Sequence, residues 1–467
     1  MKFDRLIKNG TVVLGGDSFR ADIGVAEGKI AALGKDLGRN KAKEIYDASD
    51  CFVTPGFIDS HTHMSLPVAD TVSSDDFFTG GRAGTWGGVT TIIDFTTPEP
   101  GQTPAVAINE RKKEAAISPI DFSFHSTLYG YDSLEPEDLK RAVELGVTSF
   151  KFFTAYSESG RRTPDGELLE ALSVIEELGG KSMVHCENDE IVMQKREKLR
   201  RSEKTSIVNH PKSRPDISES LAVSKVINIA ERAGGNPHLA HLTTKESVRL
   251  LDESGEKVPG LTGETCPQYL LLSESSYEDQ DGYLYSATPP LRKPNDRVAL
   301  WRGLETGIIN SVATDHCPFK VSQKKNFKND FLNIPQGVPG IETLGSLLFT
   351  EGVDGGILSI ERVVSLISEN PARIFGLYPQ KGSLVVGTDA DLVVIDPKKE
   401  KELNPSDLHM NTDFNPYTGK TTRWWPRYVF LRGEPILDES GFIGRESGGE
   451  WLPRKPNSKT LGGLCQI

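Results

Sequence analysis

From Val147 to Asn188 the chain reads VTSFKFFTAYSESGRRTPDGELLEALSVIEELGGKSMVHCEN, and the alternation inside this stretch decides the fold. An apolar run, SFKFF, gives way to a turn, then to GELLEALSVIEELGG, whose apolar residues recur at helical spacing and stop at Gly. A second apolar run, KSMVH, follows. Runs that are apolar on both faces, separated by helices, imply a parallel sheet with the helices outside. Working outward, TTIIDF, FSFHSTLYG, PHLAHLT and NSVATDH read as further strands, and PEDLKRAVELG and DISESLAVSKVINIAERAGG as further helices. The span from 55 to 382 accommodates a (β/α)8 TIM barrel, which needs roughly 250 residues plus insertions. On periodicity alone a doubly wound open sheet stands beside it.

Both chain ends have another character. RLIKNGTVV carries an Asn-Gly turn, ADIGVAEGKIAALG pairs two apolar runs across Glu27-Gly28, and ADLVVID and RWWPRYVFLRGEPIL repeat the pattern near the C-terminus. Residues 1–54 and 383–445 are therefore expected to build one β-sandwich domain together. The segment 446–467 reads as an extended or flexible tail, and KREKLRRSEK as a solvated helix face.

The 467 residues are 37% apolar and 26% charged, a soluble globular composition. A net charge of -12 speaks against nucleic acid or an anionic membrane as the main partner. The start, MKFDRLIKNG, lacks the apolar region of a secretory signal, and no window approaches the roughly 18 apolar residues of a membrane helix. Five scattered cysteines (Cys51, Cys186, Cys266, Cys317, Cys465) form no C-x-x-C pair, which fits reduced thiols in the cytoplasm.

Chemistry concentrates at strand ends. His61 and His63 in PGFIDSHTHM lie two apart, so both imidazoles project to one face. His185 closes SMVH, His241 closes HLAH, Asp315 closes SVATD, and Lys151 shares the same address, the end of a barrel that holds the active site. Imidazole and carboxylate donors suit zinc, and more than four of them suit two ions. His125 reads as a core or supporting residue, His238 points away from His241, His316 supports its neighbour, and His210 and His409 read as loop residues. Cys317 has no base spaced to serve it. Met64, Leu66, Phe153 and the loop near Thr97 are expected to line an apolar pocket.

Lys151, between Phe150, Phe152 and Phe153, poses a problem of charge. A buried ammonium costs several kcal/mol or loses its proton. Two close dications need an anionic bridge, and an amine carboxylated by carbon dioxide supplies one. The alternative is a lysine that snorkels out between the aromatic rings.

PGFIDSHTHM, GGVTTIIDF, SFKFFTAY, MVHCEN, GETCPQYL, TPPLR, ATDHCPF, PGIET, NPARIFGLYPQKGSL and GTDADLVVID, in this order, resemble the amidohydrolase superfamily, and within it the cyclic-amide group of dihydropyrimidinases and D-hydantoinases. The likeness runs nearly the full length. It implies two zinc ions per subunit held by His61, His63, carboxylated Lys151, His185, His241 and Asp315, with a bridging hydroxide that attacks a ring carbonyl. It further implies that Tyr156 donates to the developing oxyanion and that Asp315 carries the proton to the leaving nitrogen. Main-chain groups of Thr288 and Gln336 would hold the imide edge of a small cyclic amide, releasing an N-carbamoyl amino acid, in a homotetramer.

Two positions depart from the family pattern: TPPLR has Thr for Ser, and IPQG has Gln for Asn. PGIET leans toward allantoinases and L-hydantoinases; against allantoinase, FTAYSES matches the hydantoinase pattern. Dihydroorotase is disfavoured because Ser65 replaces the Arg of H-x-H-x-R that pairs a substrate carboxylate. A non-catalytic scaffold relative is the alternative of another class, set aside here because all six ligand positions are present.

Overall fold

The computed structural model describes residues 2–68, 70–129 and 135–456. Eight parallel strands neighbour one another in chain order: Phe57–Thr62, Val89–Phe95, Asp121–Thr127, Ser149–Phe153, Lys181–His185, His238–Leu239, Thr262–Thr265 and Ser311–Val312. A doubly wound sheet reverses its order at a switch point; this one never does, so the open-sheet alternative falls. The last strand closes on the first just beyond their ends. Thr62 bridges His316, the His63 amide donates to the His316 carbonyl at 2.8 Å, and Asp59 accepts from the Thr314 amide at 3.0 Å. The result is a (β/α)8 barrel.

The strands at Val89–Phe95 and Asp121–Thr127 are buried along their whole length, because helices cover the outside and side chains fill the inside. In the helix Asp165–Glu177, Leu168, Ala171, Leu172 and Ile175 are buried, the i, i+3, i+4, i+7 stripe read from the sequence. Two strands are shorter than the apolar runs suggested. Pairing in PHLAHLT stops at Leu239 and in NSVATDH at Val312, because His241 (φ +36°) and Asp315 (φ +52°) turn into the left-handed region.

Both chain ends build a separate β domain. A four-stranded sheet joins Phe3–Lys8, Asp22–Ala26, Lys29–Gly34 and Ala42–Asp47. A seven-stranded sheet mixes N-terminal strands such as Thr11–Val13 and Phe52–Pro55 with C-terminal ones such as Leu392–Asp396 and Trp425–Leu431. One core unites them, with Ile7, Val12, Ile23 and Val53 packed among Leu384, Leu392, Val394 and Phe430. Gly56 is the hinge between the last strand of this module and the first of the barrel, where a side chain would strike Thr90.

The tail is docked rather than free up to its last described residues. Leu452 N–H donates to Phe122 O at 2.8 Å, and Ser123 Oγ donates to Leu452 O at 3.0 Å. Arg454, 2% exposed, reaches Ser149 Oγ at 2.8 Å. Backbone pairing to the third barrel strand and this buried guanidinium are what hold it. Residues 457–467, including Cys465, and Gly130 of FSFHSTLYG lie outside the described residues. Beside the tail, Lys381 lies 2.5 Å from Asp121, 3.0 Å from Asp389 and 2.7 Å from Asp391, tying the barrel to the β domain. Among the described residues no helix is long and apolar enough to cross a membrane.

Candidate active site

The C-terminal ends of the barrel strands open into one cavity of about 240 Å³, lined by all the candidate metal ligands together with Tyr156, Thr288 and Gln336. On one side, His61 Nε2 and His63 Nε2 lie 3.2 and 3.0 Å from the same Asp315 oxygen. Ligand atoms of these three residues fall within 4.8 Å of one another. On the other side, His185 Nδ1 faces His241 Nε2 at 3.0 Å. The His61 and His241 ring centroids, 5.5 Å apart, join the two groups.

Lys151 lies in this barrel interior. It is 2% exposed, and its Nζ has no hydrogen-bond partner among the described residues. Its Nζ lies 5.2 and 5.5 Å from the ring centroids of Phe95 and Phe153. Burial pulls its ammonium down to about 8. The snorkelling alternative is therefore excluded: the side chain points inward, and the carboxylates of Glu264 and Asp315 offset only part of the cost of burying its charge.

The same burial keeps the imidazoles of His61 and His241 neutral, well below their ordinary value, and lowers His185. A neutral imidazole is the form that binds a metal. Burial pushes the Asp315 carboxyl up, but His61 and His63 outweigh it and hold it below its ordinary value. His63 Nδ1 and His241 Nδ1 are buried without hydrogen-bond partners among the described residues. Neutral imidazoles, an ionised carboxylate and an orphaned amine in one enclosed space match what two divalent cations would need.

Behind the candidates stand carboxylates that the sequence reading did not single out. Glu264 lies 2.5 Å from His61 Nδ1, and Glu187 lies 2.8 Å from His185 Nε2, each orienting a ring through the nitrogen that faces away from the cavity. Burial pushes Glu187 up, yet Arg214, which donates to it, and His185 together hold it well below the usual carboxylate range. Asp94 fixes the loop after the first strand, accepting from Thr62 Oγ1 and the Met64 amide at 2.9 Å each. Asp59, raised to about 6 by burial, does the same for Thr314. Their signal was present: a carboxylate inside an apolar run such as TTIIDF must find a partner there.

Tyr156, His241 and Asp315 all hold positive φ (+73°, +36° and +52°), a conformation costly for non-glycine residues and concentrated at functional sites. Lys324 braces the opposite wall. Its buried Nζ donates to Leu284 O, Ser286 O and Gly337 O at 3.0, 3.1 and 2.6 Å, pinning the loops that carry Thr288 and Gln336 to each other. The Gln336 side chain folds back onto Ile334 O at 3.0 Å.

The expectations for Met64, for an apolar lining and for His210 need correction. Met64 does not line the cavity; it is fully buried in the core near Gly80. Leu66, Phe153 and Thr97 do line it, but so do Arg161, Arg196 and Arg214, so the pocket is not simply apolar. His210 is no loop residue: it begins the short helix His210–Ser213, lies 2.8 Å from Ala287 O through Nε2, and lines the cavity with burial pulling it to about 3. His125 and His238 are buried supports, on Ser149 and Thr262 respectively, and His316 pairs with Asp75. His409 stacks on Trp86 away from the cavity. Burial pushes the Cys317 thiol far up, which leaves it no nucleophile.

Comparison with known proteins adds a second line of evidence. The sequence pattern of the amidohydrolase family matches residues 52–435. The chain is 36% identical to a D-hydantoinase of Geobacillus stearothermophilus, covering 96% of each chain. It is 38% identical to a D-phenylhydantoinase of Escherichia coli O1:K1, covering 97% of this chain and 98% of the relative. The crystal structure of a dihydropyrimidinase from Brevibacillus agri NCHU1002 superposes with a TM-score of 0.94 at 35% identity, covering 97% of this chain and 99% of that one.

Proposed function

From the premise that this chain belongs to the amidohydrolase family, we propose that it is a zinc-dependent hydrolase that opens the ring amide of dihydropyrimidines or 5-substituted hydantoins, releasing N-carbamoyl amino acids. Hydrolysis of cyclic amides is the activity shared by the named relatives. The observation that carries the metal half of the reading is the partnerless Nζ of Lys151, buried among neutral histidines and Asp315.

The residues divide the work as follows. The Lys151 amine forms a bond to the carbon of carbon dioxide and releases a proton to solvent, becoming a carboxylate. That carboxylate, His61, His63, His185, His241 and Asp315 would hold two zinc ions. Bound there, the ions would supply Lewis acidity and bring water toward ionisation near neutral pH. Asp315 receives the proton of the attacking water and delivers it to the ring nitrogen as the carbon–nitrogen bond breaks. The Tyr156 hydroxyl, kept protonated because burial raises it to about 12, donates to the carbonyl oxygen as charge develops on it. Main-chain groups of Thr288 and Gln336, on loops braced by Lys324, hold the imide edge. Cytoplasmic location and a homotetrameric assembly belong to the same proposal.

A substrate panel tests it. Purified chain, stripped with a chelator and reloaded with zinc, should open dihydrouracil or a 5-substituted hydantoin and lose that activity when stripped again. Failure on dihydropyrimidines, D- and L-hydantoins and allantoin alike, at full zinc loading, refutes the reading.

A further inference from the structure

The chemical end of the cavity is accounted for above; the end that receives the ring substituent is not. Three guanidinium groups line it. Arg214 is committed: it donates to Glu187, and its Cζ lies 5.1 Å from the Tyr156 ring centroid. Arg196 lies 3.4 Å from Glu158, so the carboxylate that also lines the cavity is already answered, while Arg196 Nε has no hydrogen-bond partner among the described residues. Arg161 has no carboxylate within ion-pairing distance among the described residues; its neighbour Arg162 takes Asp189 instead. What Arg161 has is a platform, its Cζ 5.4 Å from the Tyr129 ring centroid.

Position makes this cation informative. Arg161 and Tyr156 share one tight turn: the Arg161 amide donates to Tyr156 O at 3.2 Å, and Gly160 supplies the left-handed corner (φ +71°) between them. The residue proposed to hold the reacting oxygen thus fixes where the guanidinium stands. Arg161 also lines a second, outer cavity that shares Leu66, Thr97 and Tyr129 with the first. It therefore stands at the doorway between solvent and the ring site.

Resting on the cyclic-amide reading, we propose that the substrate carries a carboxylate on a short side chain of the ring, and that Arg161 receives it. An unpaired guanidinium at the mouth of a cleft is a poor surface for a bare hydrocarbon substituent, and its planar fork matches a carboxylate. A cavity of about 240 Å³ has room for a five- or six-membered ring and a short arm. The arm would leave the ring on the Tyr156 side and end at Arg161.

The test compares 5-(2-carboxyethyl)hydantoin with its neutral isostere, 5-(2-carbamoylethyl)hydantoin, on the zinc-loaded enzyme and on Arg161→Gln. The wild type should favour the carboxylate in kcat/KM by roughly 10- to 100-fold, the span of a hydrogen bond to a charged group. Arg161→Gln should erase most of that ratio, and Arg161→Lys should keep part of it. A wild-type ratio near one, or a ratio unchanged by Arg161→Gln, overturns the proposal while ring opening itself leaves the hydrolase reading standing. No opening of any cyclic amide removes both.

Discussion

Replacing Lys151 with Met should make the metal-free protein more stable while abolishing its function. Burial lowers the ammonium from its ordinary 10.5 to about 8. At 1.36 kcal/mol for each tenfold change in proton affinity, holding that charge in the unmodified barrel costs about 3 kcal/mol. The sign follows from linkage. The unfolded chain binds this proton more tightly than the folded one, so the cost is fully present below about 8 and fades as pH climbs toward 10.5. Methionine keeps the stem and removes the charge. In carbon dioxide-free buffer without metal, urea unfolding at pH 7 should show Lys151→Met ahead by about 3 kcal/mol, and the two curves should converge near pH 10. Adding zinc and bicarbonate should invert the order, because only the wild type gains the linkage stabilisation of a bound ligand, about 4.1 kcal/mol at a thousand times Kd. Metal-free Lys151→Met no more stable than wild type at pH 7 would refute the view of a destabilising buried charge. A variant that kept its zinc and turnover would refute the bridging role.

Two further substitutions probe the site and its frame. Tyr156→Phe should lower kcat by roughly 10²- to 10³-fold, the usual loss for one oxyanion donor, with zinc content unchanged by metal analysis; lost zinc would assign the tyrosine a structural role. Lys381→Met leaves Asp121, Asp389 and Asp391 buried around a missing cation and should cost about 3–5 kcal/mol at pH 7. Burial pushes Asp389 up, but Lys381 and Lys29 outweigh it and hold it below its ordinary 3.8. A carboxyl depressed on folding stabilises the fold above its unfolded value and loses that contribution as pH falls through its folded one. The deficit of Lys381→Met should therefore shrink in denaturant unfolding below pH 3.8, and an undiminished deficit there would dismiss the ion network as its cause.

The barrel was legible because two periods, one of strands and one of helices, alternate without interruption, as Leu168, Ala171, Leu172 and Ile175 illustrate. The candidate metal ligands were legible for the same reason. His185 is the last residue of its strand, His61 the last but one and Lys151 two before the end, and a parallel barrel delivers every strand end to one rim. Strand lengths were not: His241 and Asp315 end their strands early by turning to positive φ, a conformation with no marker in His or Asp comparable to a glycine. The docked tail escaped notice too. Arg454 is held by Ser149 and the Phe375 carbonyl, partners more than seventy positions away in the chain, and no local pattern encodes such a contact.

The substituent end of the pocket shows where sequence reading stops and why. Arg161, His210 and Arg214 stand in loops or short helices, whose place in space depends on elements far along the chain. Arg196 is more instructive, since it sits in KREKLRRSEK, a run assigned whole to solvent. For most of its charges that assignment is right: the side chains of Glu197, Arg200 and Arg201 are 40%, 57% and 78% exposed. Arg196 is only 15% exposed. It lies four residues after Val192, which is buried, and residues four apart share a helix face. Extended one turn from Val192, the apolar stripe of this helix predicts an inward-facing arginine. A charge on that stripe has to meet either a carboxylate or a ligand, and Arg196 meets Glu158 at 3.4 Å, while its Nε has no hydrogen-bond partner among the described residues.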